Sequence, residues 1–203
     1  MIRQLCIWTV AGLLGVSISF GEDKPAPTEA EKSAMAEIRN SGGQVMELAQ
    51  NDSRLDVAFY LASGKITDEH LVPLKNLPRV AQLNLRGREI TNAGLVNLKD
   101  LKGLTTLHLE NTKVTDDGLE QLKGLENLEY LNLYGTAVTD AGLKHLAGLK
   151  KLRKIYLWQT QVTDAGAAEL KAAIPELRIN RGIELAKPAE EKKPEEPKPE
   201  EKK

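Results

Sequence analysis

The sequence has almost no cysteine, few aromatic residues and no excess of either charge. Its single cysteine, Cys6, lies inside an N-terminal apolar run, so we expect neither disulfide nor thiolate chemistry in the rest of the chain. The 28 basic and 29 acidic side chains are well mixed without a basic stripe, which argues against a nucleic-acid partner. No glycine-rich phosphate loop occurs. Aromatic residues make up only 4% of the chain, so any clustering of them is informative.

The first 21 residues have the pattern of a secretory signal peptide. Arg3 supplies the positive start, residues 5–20 form the apolar run, and small residues surround the expected cleavage site before Glu22. Cleavage there would remove Cys6 and leave an exported protein without a thiol. The alternative is an uncleaved membrane anchor, although an apolar run of about 16 residues is short for a membrane span.

A predicted N-terminal cap follows a short polar linker at 22–27. Thr28 has the sequence context of a helix N-cap within a capping box. Two strand-like runs come next, at 44–49 and 54–61, separated by turn residues. We interpret 28–55 as a helix and hairpin that cover the apolar end of a repeat array.

One 24-residue pattern is repeated along the middle of the chain, and residues 104–151 contain it twice: LTTLHLENTKVTDDGLEQLKGLEN, then LEYLNLYGTAVTDAGLKHLAGLKK. Leucines that alternate with polar residues predict a strand with one buried side, and the later spacing of three predicts a short helix. Repetition at a fixed period is typical of a solenoid, which we place at 56–185. The five units begin at Asp56, Val80, Leu104, Leu128 and Leu152.

The pattern LxxLxLxxTxVTDxGLxxLxxL resembles the leucine-rich repeat, and is similar to the 24-residue bacterial variety that contains VTDAGL. The resemblance covers about 56–180. It implies an α/β fold: a right-handed solenoid with parallel strands on the concave face, short helices on the convex face, and a binding role more often than catalysis. The usual asparagine of the family is replaced, so we expect threonine hydroxyls to satisfy part of each bend. The replacing residues are Gly64, Arg88, Thr112, Thr136 and Thr160.

Residues between the strand leucines are expected to line the concave face, and aromatic residues concentrate there. The pattern places Ala58, Tyr60 and Ala62 of the first unit on this face. We interpret the aromatic positions of the later units, with the polar residues near them, as a surface for a protein or peptide, or for a glycan stacked on the rings. Alternatively, aromatic residues merely suit strands. The candidate partner-binding residues are Asn84, Arg86, His108, Tyr130, Asn132, Tyr134, Lys154, Tyr156 and Trp158.

Catalytic and metal-binding patterns are weak in this sequence. The three histidines fall at different positions of the repeat, so we expect neither a zinc site nor a nucleophile–base pair from them. A repeated aspartate column could suggest calcium, but each aspartate is expected to interact with its own helix N-terminus. We therefore predict no cofactor, no metal and no enzymatic activity. The aspartates are Asp68, Asp116, Asp140 and Asp164.

The C-terminal residues 186–203 contain only Lys, Glu, Pro and Ala, with six lysines and six glutamates. Such a segment cannot recover the entropy of ordering, so we predict a disordered tail that serves as a spacer or as a tether to the cell envelope. The whole sequence favours an exported, non-catalytic protein-binding module in the periplasm, in the cell envelope or outside the cell. The alternative is a structural envelope component held by its tail.

Overall fold

The structure is a computed structural model that describes residues 26–182. The predicted signal peptide with Cys6, most of the linker, and the Lys/Glu/Pro tail lie outside this range.

The N-terminal part is a helix followed by an antiparallel pair of strands, as the sequence predicted. Helix α1 (Glu29–Asn40) precedes β1 (Gln44–Ala49) and β2 (Asp52–Ala58). Thr28 and Glu31 form the capping box: the Glu31 N–H donates to the Thr28 hydroxyl at 3.2 Å, and the Thr28 N–H donates to the Glu31 carboxylate at 2.8 Å. The buried face of α1 carries Ala34, Met35 and Ile38 and covers the first coil. Strand β2 crosses the boundary that we predicted between the N-terminal cap (28–55) and the solenoid (56–185).

Five further strands continue this sheet in chain order, all parallel from β2 onward. A 3₁₀ segment (Asp68–Asn76) follows β2, and after each of the next three strands a single α-turn continues directly into a 3₁₀ turn. The prediction of a solenoid with parallel strands on one face and short helices on the other is confirmed. The elements are β3 (Val80–Asn84), α2 (Asn92–Leu95), β4 (Thr106–His108), α3 (Asp116–Leu119), β5 (Tyr130–Asn132), α4 (Asp140–Leu143), β6 (Lys154–Tyr156), α5 (Asp164–Ala173) and β7 (Arg178–Asn180).

The strand register aligns one apolar residue per coil through the sheet. Leu107 pairs with Leu131, which pairs with Ile155, and all three side chains are fully buried. The strand leucines face the leucines of the helical turns, so each coil contributes to a single continuous core. Because strands only three residues long cannot bury a coil alone, each coil depends on its neighbours.

The predicted register of the first unit is wrong by two residues. The sheet pairs Asp56 with Gln82 and Ala58 with Asn84, whereas the repeat pattern had placed Ala58 beside Gln82. The shift arises because β2 is also a hairpin strand, and its pairing with β3 is irregular between Leu55 and Asp56. Ala58 therefore lies beside Asn84 and not beside Gln82, and both Ala58 and Ala62 are buried.

The aspartates at the helix starts connect neighbouring coils, which the sequence argument missed. The two carboxylate oxygens of Asp116 accept the Thr139 N–H at 2.8 Å and the Thr139 hydroxyl at 2.6 Å. Asp68 binds Thr91, and Asp140 binds Thr163, with the same pair of bonds. The hydrogen bonds from Thr163 hold the pKa of Asp140 below its ordinary value. Asn92 replaces the carboxylate and binds Thr115, while Asp164, the last of the column, pairs with Arg181.

A glycine in each of the last four coils makes room for this contact. A Cβ at Gly142 would overlap the carboxylate of Asp116, and the same holds for Gly166 against Asp140. By contrast, a Cβ at Gly148 would meet no atom within 4 Å. The repeated glycine therefore exists to admit the side chain of the preceding coil.

The expected role of threonine at the asparagine position is confirmed. The hydroxyls of Thr112, Thr136 and Thr160 donate to the carbonyl three residues earlier, at 2.6–2.7 Å. Arg88 differs, because its guanidinium reaches back to the carbonyls of Tyr60 at 2.6 Å and Ala62 at 2.9 Å. These bonds pair backbone carbonyls of the bends that asparagine side chains would otherwise contact in this family.

We predict that Gly142→Ala destabilises the fold by about 1–3 kcal/mol, because the new methyl group displaces the Asp116 carboxylate. Asp116→Ala should cost a similar amount by removing the bonds to Thr139. In the double variant the costs should be less than additive, since the carboxylate is no longer there to be displaced. Urea unfolding monitored by circular dichroism measures all three free energies.

Gly148→Ala is the matched control for this cycle and should be neutral or slightly stabilising. Additive costs in the double variant, or an equal cost for Gly148→Ala, would contradict the proposed contact between Gly142 and Asp116.

Candidate functional site

The outward side chains of β2–β7 form one continuous surface, which we call the sheet face; it is the surface expected to be concave. The strand register arranges these side chains in rows that run across the sheet. One row contains Gln82, Thr106, Tyr130, Lys154 and Arg178, and the next contains Asn84, His108, Asn132, Tyr156 and Asn180. The third, one alternation further along the strands, contains Arg86, Glu110, Tyr134 and Trp158.

Four aromatic rings lie together over β5 and β6. We call Tyr130, Tyr134, Tyr156 and Trp158 the aromatic patch. The ring centroids of Tyr130 and Tyr156 are 5.5 Å apart, and those of Tyr134 and Trp158 are 5.4 Å apart, with tilted planes in both pairs. Such tilted arrangements are favourable for aromatic pairs. The patch is therefore held in place by contacts between its own rings.

Trp158 is the most exposed ring of the patch, at 52%. Gly182, which has a positive φ of 72°, lies against the indole so closely that a Cβ there would overlap it. With Tyr134 on one side and the backbone of Gly182 on another, the indole is fixed while much of its surface stays open. An exposed but immobilised tryptophan loses little side-chain entropy when a partner binds.

A buried carboxylate beside the patch contacts two of its polar neighbours. Glu110 is only 6% exposed, and its Oε1 accepts a hydrogen bond from Asn132 Nδ2 at 2.7 Å and lies 2.8 Å from His108 Nδ1. Asn132 in turn accepts the backbone N–H of Tyr134 at 3.1 Å. The His108 ring lies 4.9 Å from that of Tyr130. Glu110 thus connects the polar residues to both halves of the patch.

Sequence reasoning did not select Glu110 as a site residue. The sequence feature that could have identified it is an acidic residue at the position where the next two coils have Tyr134 and Trp158. Its second oxygen, Oε2, is buried without a hydrogen-bond partner among the described residues. A buried acceptor of this kind is costly, so its position calls for an explanation beyond folding.

The structure brings most of the predicted site residues together, but Asn84 and Arg86 lie apart on β3. His108 and Asn132 lie beside the patch, and Lys154 is exposed between Tyr130 and Arg178 in the same row. The Asn84 side chain accepts the Arg86 backbone N–H at 3.1 Å, a local bond that stabilises the end of the strand. The Arg86 side chain is exposed.

Burial raises the pKa of two ionisable groups on the sheet face. It raises the pKa of the Tyr130 phenol, although the hydrogen bond with Asn132 opposes the shift. It also raises the pKa of the Asp56 carboxyl, opposed by the charge of His108. Both shifts favour the neutral forms of these groups.

The other two histidines lie away from this surface. His70 completes a capping box, accepting the Thr67 N–H at its Nδ1 at 3.2 Å, and His145 lies in the 3₁₀ turn after α4. Within residues 26–182, no cluster of three or more His, Cys, Asp or Glu side chains is arranged to hold a metal ion. In the same part of the chain, no helix is both long and apolar enough to cross a membrane.

Comparison with known proteins agrees with the fold described above. A sequence-family model described as "Leucine rich repeat" matches residues 102–162. No curated protein sequence matches the chain significantly. Together with the stacked strand–turn–helix coils, the family match identifies the fold as a leucine-rich repeat solenoid.

Several solved structures are similar to the chain at low sequence identity. The leucine-rich repeat ectodomain of the receptor kinase SOBIR1 from Arabidopsis thaliana is 14% identical, with a TM-score of 0.49; the match covers 76% of this chain and 92% of that one. Internalin C2 from Listeria monocytogenes is 21% identical, with a TM-score of 0.42 and coverage of 79% and 88%. The internalin inlF from the same organism is 19% identical, with a TM-score of 0.42 and coverage of 63% and 46%.

We predict that one tyrosine ionises late and that Tyr130→Phe removes this step. Because burial raises the folded-state pKa of Tyr130, the unfolded chain loses this proton first as pH rises above about 10. The stabilising contribution of the neutral phenol is therefore complete below that pH and is lost above it. Ultraviolet titration of tyrosinate checks the prediction, with Tyr134→Phe as a control that keeps the late step. A late step that survives Tyr130→Phe would contradict it.

Proposed function

We propose that this leucine-rich repeat solenoid is an exported, non-catalytic binding module that holds a protein or peptide partner on the aromatic patch of its sheet face. The observation that supports this most is the state of Trp158, which is half exposed yet fixed by Tyr134 and Gly182. Tryptophan and tyrosine are the residues that most often dominate the binding energy of protein interfaces.

The form of the surface favours an extended segment of the partner. Side chains of the patch stand on adjacent strands about 4.8 Å apart and repeat about every 6.7 Å along each strand. An extended chain presents side chains to one face at the same interval, so its apolar residues can meet successive rows. Because the rings contact one another before binding, little ordering cost remains to be met by the complex.

The contacts of His108 also support a binding role for this surface over a catalytic one. Its Nδ1 lies 2.8 Å from Glu110, which holds Asn132 at the same oxygen. In this arrangement the imidazole orders the polar border of the patch.

We predict that Tyr134→Ala/Trp158→Ala abolishes partner binding and leaves the fold intact, because both rings lie outside the leucine core. Affinity chromatography with the wild-type chain identifies retained proteins, and binding of each purified candidate is then measured by calorimetry. Loss of two hot-spot rings should weaken the affinity of a true partner by at least about 30-fold.

The matched control is Val72→Ala/Val96→Ala, which removes two exposed apolar side chains, 52% and 40% exposed, away from the sheet face. This control should bind like the wild type. The proposal fails if the aromatic variant keeps its affinity, or if the control loses binding to the same extent.

We predict that the signal peptide is removed before Glu22 during export. Mass spectrometry of the protein recovered from its native host should show a chain that begins at Glu22 and lacks Cys6. A chain that keeps residues 1–21 in the membrane fraction would support the anchor instead.

Deletion of 187–203 tests the alternative in which the tail tethers the protein to the cell envelope. If the deletion variant loses its association with the envelope but still binds its partner, the tail is the tether.

A further inference from the structure

Three basic side chains on the sheet face have no ionic partner within the described part of the chain. Arg86, Lys154 and Arg178 are exposed, and none forms a side-chain hydrogen bond or ion pair with another described residue. Arginines at the border of the sheet are different. Arg153 pairs with Glu176 at 3.2 Å, and Arg54 pairs with Asp52 at 2.7 Å.

The acidic side chains of the same face offer little negative charge to a partner. Glu110 is buried and its Oε1 is taken by Asn132 and His108. Asp56 is partly buried, and burial raises the pKa of its carboxyl. Glu129, directly before β5, contributes to the raised pKa of Arg54, after the larger effect of Asp52. The exposed charged side chains at outward strand positions around the aromatic patch are therefore Arg86, Lys154 and Arg178, and the exposed acid Glu129 lies just before β5.

Two of the cations stand directly opposite each other. Lys154 and Arg178 are paired residues on β6 and β7, and Lys154 is paired on its other side with Tyr130. Like charges at directly opposed positions of neighbouring strands destabilise a sheet. An anionic group placed between them relieves this repulsion and gains two charge-assisted hydrogen bonds.

We propose that the partner segment is acidic: a carboxylate of the partner binds between Lys154 and Arg178, and an apolar side chain near it in the same segment contacts Tyr156 and Trp158. This inference rests on the proposed function. Tyr156 is one row from the two cations and Trp158 is two rows away, about 6.7 Å per row along the strands. An extended segment with an acidic residue two positions from an apolar residue presents both side chains to the sheet face, one row apart, and so meets both requirements.

Fluorescently labelled decapeptides test directly whether the chain prefers an acidic segment. Three sets share the same leucine and tyrosine positions and carry Glu, Gln or Lys at the remaining positions. Fluorescence anisotropy with the purified chain should show that the Glu set binds at least about tenfold more tightly than the Gln set, and that the Lys set binds more weakly still. Binding of the Glu set should weaken as salt concentration rises.

The charge-reversal variant Lys154→Glu/Arg178→Glu should invert the order, so that the Lys set binds more tightly than the Glu set. Its matched control, Lys75→Glu/Lys99→Glu, changes the net charge equally but on the helical side of the solenoid, and it should keep the wild-type order. Inversion in this control would show a net-charge effect and would overturn the inference.

The outcomes separate the inference from the proposed function. If the three sets bind equally, or if the Lys set is preferred by the wild type, while Tyr134→Ala/Trp158→Ala still abolishes binding, acidic selection is wrong and the aromatic binding surface stands. If no set binds to the wild-type chain, both proposals are overturned.

Discussion

Each coil of this solenoid is buried by its neighbours in the stack, and the first coil is also covered by helix α1. A coil has about seven apolar side chains, whose burial contributes about 1.5–3 kcal/mol each, while ordering each of its residues costs about 1–2 kcal/mol. A separate coil therefore does not fold, and stability comes from the contact between coils. That contact is set by register: when Leu107 faces Leu131, the carboxylate of Asp116 also meets Thr139 and passes over Gly142.

The same register separates residues that hold the stack from residues that are free to bind. Leucine, aspartate, threonine and glycine positions recur because each contacts the next coil. Outward positions on the strands are not part of this recurring set, and in one row they change from Thr106 to Tyr130 to Lys154. The residues that can specify a function are therefore concentrated on the sheet face, where the repeat does not constrain residue identity.

Local sequence pattern was enough to predict the coils, the parallel sheet, the capping box at Thr28 and the clustering of three tyrosines with Trp158. It did not predict bonds that exist only after stacking. The reach of Asp116 to the next coil and the contacts of Arg88 with the preceding loop belong to this class. The register of Ala58 was wrong because β2 serves both the hairpin and the solenoid.

Glu110 is the residue that the fold alone explains least. Equivalent positions in other coils carry the exposed side chains of Arg86 and Trp158, so the repeat does not require a buried acid there. Among the described residues its Oε2 has no hydrogen-bond partner, and a buried acceptor in that state costs stability. Here the carboxylate orders His108 and Asn132 around the aromatic patch. Because it is buried, its side chain is not available to a partner, whereas Lys154 on β6 and Arg178 on β7 are exposed.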